Sequence, residues 1–178
     1  MACVTRHALH PWKKKIPIYA VDLAQGEGQP TLDPTVSGGL SPGWPMADAI
    51  RVGLNADIMV PYDWIPGTDI KFYFVYSPDN LGGTGNIVLG IDYVLYADSI
   101  CSSLGMNPAR TVRTIVDTPP FGVVMKLTNT YVAIPGSELR GKRQIQIAFI
   151  RAGDLAEDTD NRQHNLIKVI MEYESYQP

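Results

Sequence analysis

Ile50-Arg51-Val52-Gly53-Leu54-Asn55-Ala56-Asp57-Ile58-Met59-Val60 places an apolar side chain at every second position. Side chains alternate across a strand, so this stretch has one face for a core and one for water. The same period of two runs through Ile70, Phe72, Phe74 and Tyr76, and through Ile87, Leu89, Ile91, Tyr93 and Leu95. Further strands are expected over residues 111–116, 123–128, 144–150 and 166–173. Loops rich in Gly, Pro, Asn and Asp separate them, and no segment holds a helical period beyond a turn or two. The reading is an all-β chain, a jelly-roll-like two-sheet β-sandwich.

The corners between strands carry an internal repeat. Ile65-Pro66-Gly67-Thr68-Asp69-Ile70 returns as Ile134-Pro135-Gly136-Ser137-Glu138-Leu139. Proline fixes φ and withholds a donor, so the ladder stops there, and glycine then permits a sharp turn toward the other sheet. Each copy follows an alternating apolar strand and precedes an aromatic or aliphatic one. Two related halves are the pattern of a double Greek key.

Residues 1–48 read differently. They hold Pro11, Pro17, Pro30, Pro34, Pro42 and Pro45 with several glycines, and only residues 16–23 suggest a strand. Such a segment sustains neither a helix nor a long ladder. It is read as an extended N-terminal arm ahead of a sandwich domain at 49–178. Trp12, Ile16, Ile18, Trp44 and Met46 make it too apolar for a free tail, and they are the candidate interface residues, packing on their own domain or on a neighbouring chain.

Bulk properties bound the function. At 178 residues and 45% apolar composition the chain can bury one full core. A net charge of −3 lacks the basic excess needed to hold nucleic acid through its phosphates, the run Lys13-Lys14-Lys15 being the local exception. Cys3 and Cys101 lie far apart in unlike surroundings, which argues against a disulfide scaffold or zinc site. No signal-length or membrane-length apolar run occurs, so neither secretion nor a membrane partner is expected.

No catalytic centre, cofactor site or metal site is expected. His7, His10 and His164 fall in the arm or a charged loop, without a nucleophile elbow or a His-x-x-x-His pair, and read as exposed polar residues. Asp154, Glu157, Asp158 and Asp160 share one loop but lack calcium-loop spacing, so a solvated loop is the first reading. Leu81-Gly82-Gly83-Thr84-Gly85-Asn86 precedes a strand rather than a helix, and reads as a hairpin connection, not a phosphate cradle. Tyr73, Tyr76, Tyr93 and Tyr96 alternate at strand spacing and read first as packing residues, with a sugar-binding face as the alternative.

The segment Trp64-Ile65-Pro66-Gly67-Thr68-Asp69-Ile70, then Phe72-Tyr73-Phe74, then Gly85-Asn86-Ile87-Val88-Leu89-Gly90-Ile91 resembles small β-sandwich proteins of tailed-phage virions. The resemblance spans residues 50 to 175 and concerns strands and corners. It implies a bacteriophage head-decoration, head-fibre or tail-associated structural protein, assembled in the host cytoplasm as a homo-oligomer, often a homotrimer. Its partner would be the major capsid protein or another virion protein. A carbohydrate- or receptor-binding module, using the loops at residues 77–85 and 153–165 or an aromatic sheet face, is the second expectation.

Overall fold

The computed structural model describes residues 11–28, 32, 42–79, 82–97, 109–120, 122 and 125–178. Among them run strands β1 (Trp12–Tyr19), β2 (Ala24–Gln25), β3 (Trp44–Met46), β4 (Arg51–Met59), β5 (Ile70–Pro78) and β6 (Ile87–Tyr96). Then follow β7 (Thr111–Asp117), β8 (Lys126–Leu127), β9 (Val132–Ile134), β10 (Gln144–Ala152) and β11 (His164–Ser175). A single 3-10 turn, Ala20–Asp22, joins β1 to β2.

All pairings are antiparallel, in two sheets. Sheet 1 has the order β1-β11-β5-β8, with β3 continuing the line of β1 along β11 and β9 sharing the far edge of β5 with β8. Sheet 2 has the order β2-β4-β10-β6-β7. The chain crosses between sheets at nearly every connection, so neighbours within a sheet come from distant parts of the sequence. That is the jelly roll the alternation predicted.

Inward residues of both sheets fill one core. Phe149 of β10 sits at its centre, 5.7 Å from the Phe72 ring and 6.2 Å from the Phe74 ring across the sandwich. Leu54, Ile91, Leu166 and Val169 are buried around it. Tyr76 and Tyr93 join the core, whereas Tyr73 and Tyr96 lie on the outer faces, partly exposed.

The segment 1–48 does not stand apart from the sandwich where it is described. Trp12–Tyr19 pairs with β11 along its whole length, from Trp12 opposite Ser175 to Tyr19 opposite Lys168. Pro17 is tolerated because β1 is the edge of its sheet. Trp44 and Met46 pair with Leu166 and His164, and both are buried in this chain's own core. The indole of Trp44 donates to the Ala20 carbonyl at 2.5 Å, tying β3 to the turn after β1.

The repeated corners meet each other. Ile70 stands opposite Ile134 in the β5–β9 ladder, and Gly136 lies so close to the other corner that a Cβ there would overlap the Gly67 carbonyl group. The Asp69 carboxylate accepts from the Gly136 N–H at 3.0 Å. The turns themselves differ by one residue: the Thr68 N–H donates to Ile65 in one, the Glu138 N–H to Pro135 in the other. Gly67 takes a left-handed φ of 95° and Gly136 does not. The repeat thus marks two contacting corners with different turns.

Candidate functional site

Three regions of the sandwich concentrate polar or exposed apolar groups: one closed end, one open side and one outer face.

At the closed end, the inward row of β10 runs Ile145, Ile147, Phe149, Arg151, and the last of these is fully buried. A buried guanidinium requires all its donors to be spent. Arg151 Nε and Nη2 donate to Asp158 at 3.0 and 2.7 Å, Nη1 to the Met46 and Arg162 carbonyls at 3.1 and 2.6 Å, and Nη2 also to the Asp160 carbonyl. Arg162 in turn grips Asp160 through Nε at 2.8 Å and Nη2 at 2.5 Å. Burial opposes ionisation of Asp160, but the side-chain and backbone bonds from Arg162 outweigh it and hold the carboxyl at about 2.

His164 is buried beside this pair, its Nε2 3.1 Å from Asp160 Oδ2 but outside hydrogen-bond geometry, and its ring edge-on to Tyr76 at 5.3 Å. Burial pushes the imidazole down to about 4, so it is neutral at pH 7. Tyr76 donates to Asp117 at 2.8 Å, and Lys126 donates to the other oxygen of Asp117 at 2.7 Å. Burial, with Asp117 beside it, raises the Tyr76 phenol far above its usual range.

Three expectations are corrected here. His164 is a core residue rather than an exposed one. The acidic loop is not simply solvated: Asp158 and Asp160 point inward onto arginines, and only Asp154, 3.5 Å from Arg51, and Glu157 remain outside. With those two carboxylates spent on guanidinium groups, the loop does not converge its oxygens on a cation. The connection at residues 82–86 is also not a hairpin, since it carries the chain from sheet 1 to sheet 2. It is stitched to the acidic loop by Thr159 and Asp160 N–H groups donating to Asn86 and by Val88 N–H donating to Asp158 at 3.0 Å. His7, His10, Cys3 and Cys101 lie outside the described residues.

The open side lies between β1 of sheet 1 and β4 of sheet 2. The Ala20–Asp22 turn bridges the sheets at one end. At the other, Asp63 accepts from Lys14 at 2.7 Å, Ser175 at 2.8 Å and Tyr173 at 3.0 Å. The Lys14 ammonium lowers the Asp63 carboxyl to about 2, against burial and with help from the two hydroxyls, and burial raises the Tyr173 phenol to about 12. Between these bridges is an apolar slot of about 470 Å³, lined by Ile16, Ile18, Ile58, Met59, Tyr62 and Met171. At its mouth Met59 is 65% and Tyr62 86% exposed.

The outer face of sheet 2 holds a polar trough of about 630 Å³ around Asn55, Asp57, Gln146, Asp92 and Arg110, floored by Ala148. Asp92 is buried and binds Arg110 through both oxygens, Nε lying 2.7 and 2.6 Å from them. That pairing raises the guanidinium further above its already high value. Asp22 and Asp57 line both the trough and the slot, so the two are continuous.

Of the interface candidates, Ile16 and Ile18 line the slot and Trp12 is exposed on the same strand, while Trp44 and Met46 are spent on the internal core. Sequence reading missed Arg151, Asp158, Asp160 and Arg162 as a unit. The available signal was Arg151 occupying an inward position of an alternating strand, which implies a buried partner. Among the described residues no group of three or more His, Cys, Asp or Glu side chains is placed to hold a metal, and no helix is long and apolar enough to cross a membrane.

No protein-family model and no curated protein sequence matches the chain. Among solved structures it is similar to the VP2 subviral particle of infectious bursal disease virus, at 10% identity over 90% of this chain and 32% of that one, TM-score 0.41. It is also similar to TmCBM27, a carbohydrate-binding module that recognises mannan, at 14% identity over 90% of this chain and 98% of that one, TM-score 0.37. A third is the family 11 carbohydrate-binding module of Clostridium thermocellum, at 13% identity over 96% and 93%, TM-score 0.35. The chain spans about a third of the length of the viral chains it matches. Both groups are β-sandwich proteins, and likeness at this level assigns neither function.

Proposed function

We propose that the chain is a non-enzymatic structural subunit of a virion, a homo-oligomer held together through the open side of its sandwich. The observation that carries the assembly is the apolar slot between β1 and β4. A sandwich that seals its loop end with fully paired buried ions leaves Ile16, Met59 and Tyr62 at one side in water, and exposed apolar groups gathered in this way favour a protein contact. The virion is named on the resemblance of residues 50 to 175 to tailed-phage sandwich proteins. The test is mass in solution by light scattering, with Met59→Asp and Ile16→Asp variants whose folding is checked by circular dichroism. A wild-type oligomer that both variants reduce to a monomer supports the reading, and a wild-type monomer at high micromolar concentration refutes it.

The trough supports a second reading, a carbohydrate-binding module. Amide, carboxylate and guanidinium groups of Asn55, Asp57, Gln146 and Arg110 converge over the small side chain of Ala148, and fixed planar polar groups suit hydroxyl recognition. Glycan-array binding that Gln146→Ala abolishes would favour it.

A further inference from the structure

Sheet 2 has two unfinished edges, and they are unlike. On one side β2 covers β4 only opposite Leu54 and Asn55, and among the described residues no strand lies beyond residues 56–59 of β4. On the other, β7 is the last strand, and among the described residues nothing in its sheet lies beyond it. Backbone donors and acceptors along such edges are a template for pairing.

The edges complement each other in charge and surface. Beside the β4 edge stand Asp22 and Asp57, neither with an ion pair or side-chain hydrogen bond among the described residues, and the exposed Met59. The β7 edge presents Val112 and Val116, 44% and 48% exposed, with Arg110 just ahead of the strand. Arg110 spends Nε and Nη2 on Asp92 but keeps a side chain that is 64% exposed, so its remaining donors face outward. Direction also fits: β4, β10, β6 and β7 alternate antiparallel, so β7 runs opposite to β4. Placing one copy's β7 beside another copy's β4 extends the antiparallel sheet, with Arg110, Val112 and Val116 on the same outer face as Asp57 and Met59 of the next copy.

We propose that copies of this chain associate head to tail, β7 of one copy docking on the free edge of β4 in the next. This inference rests on the reading that the chain assembles through its open side, and it names the surface that fills that side. Unlike surfaces in contact make a heterologous interface, which closes into a ring if the rotation per copy permits and otherwise grows. Strand addition supplies main-chain hydrogen bonds, and the alternating side chains supply selectivity.

The experiment is a complementation of broken edges, read as mass by light scattering. Asp57→Arg spoils the β4 edge and leaves β7 intact; Val112→Glu does the reverse. Both positions are exposed, and circular dichroism melts verify that each variant folds. The expected result is a wild-type oligomer, two monomeric variants, and a one-to-one dimer when the variants are mixed, because the β7 of the Asp57→Arg copy still fits the β4 edge of the Val112→Glu copy. Variants that remain oligomeric, or a mixture that stays monomeric, overturn the head-to-tail contact while leaving assembly itself standing. A monomeric wild type overturns both.

Discussion

Replacing Arg151 by Met removes the cation from a fully buried site and leaves Asp158 as a buried, unpaired carboxylate. It also orphans the Met46, Asp160 and Arg162 carbonyls, each of which accepts from that guanidinium. Breaking one partner of a buried ion pair costs about 3–5 kcal/mol, a large share of the whole stability of a domain. In a chain of this size each kcal/mol moves the melting temperature by about 2–4 °C, so Arg151→Met should melt about 6–20 °C lower. Urea unfolding followed by tryptophan fluorescence is a suitable assay, because Trp44 sits in the strand whose Met46 carbonyl Arg151 holds. Asp158→Asn alone should be nearly as harmful, and the double variant less harmful than the sum, with a coupling of about 0.5–3 kcal/mol. A loss below about 1 kcal/mol for Arg151→Met, or additive losses in the double variant, would refute the claim that the network fixes the closed end.

Because the His164 imidazole sits at about 4 in the folded chain and near 6.5 when unfolded, the unfolded state takes up the proton first as pH falls. Its contribution is therefore intact above pH 6.5 and lost progressively down to pH 4, about 3 kcal/mol in all. Urea midpoints across that window should slope, and His164→Phe should flatten the slope; an unchanged slope in the variant contradicts the assignment. Gly136→Ala pushes a methyl into the Gly67 carbonyl and should cost about 1–3 kcal/mol in chemical denaturation, whereas Gly67→Ala meets no neighbour and suffers only its left-handed φ, at about 1–2 kcal/mol. Acrylamide should quench the emission of Trp12 and spare Trp44 and Trp64, so Trp12→Phe should remove the quenchable fraction; equal quenching in that variant would place Trp44 or Trp64 outside the core.

The long strands were legible because one face of each is dry. Period two shows in the inward row of each, even where β5, β6, β10 and β11 bury outward residues as well, and β4, β5, β6, β7, β10 and β11 were all expected near their observed bounds. β1 was half hidden, since an edge strand tolerates Lys13, Lys14, Lys15 and Pro17 that a central one would not. β3 was invisible: three residues with Pro45 in the middle have no period to read, and their placement depends on β11, some 120 residues later. Of the slot, Ile16 and Ile18 could be named from sequence, but their meeting with Ile58 and Tyr62 depends on how two sheets stack. The ion network hid behind composition, because Asp158 and Asp160 look like any acidic loop until Arg151 is placed beneath them.

The position of β11 in sheet 1 also bears on how the chain reaches its fold. It is the strand that β1, β3 and β5 all pair with, so no two strands adjacent in the sequence are partners in that sheet. Until residues 164–175 have left the ribosome, the aromatic inner face of β5 has no strand on its β11 side, and Trp12–Tyr19 has nothing to pair with. Folding then waits on late, long-range loop closures, which places the chain among slow folders on the millisecond-to-second scale and leaves a nascent intermediate with an open apolar sheet for chaperones to shield.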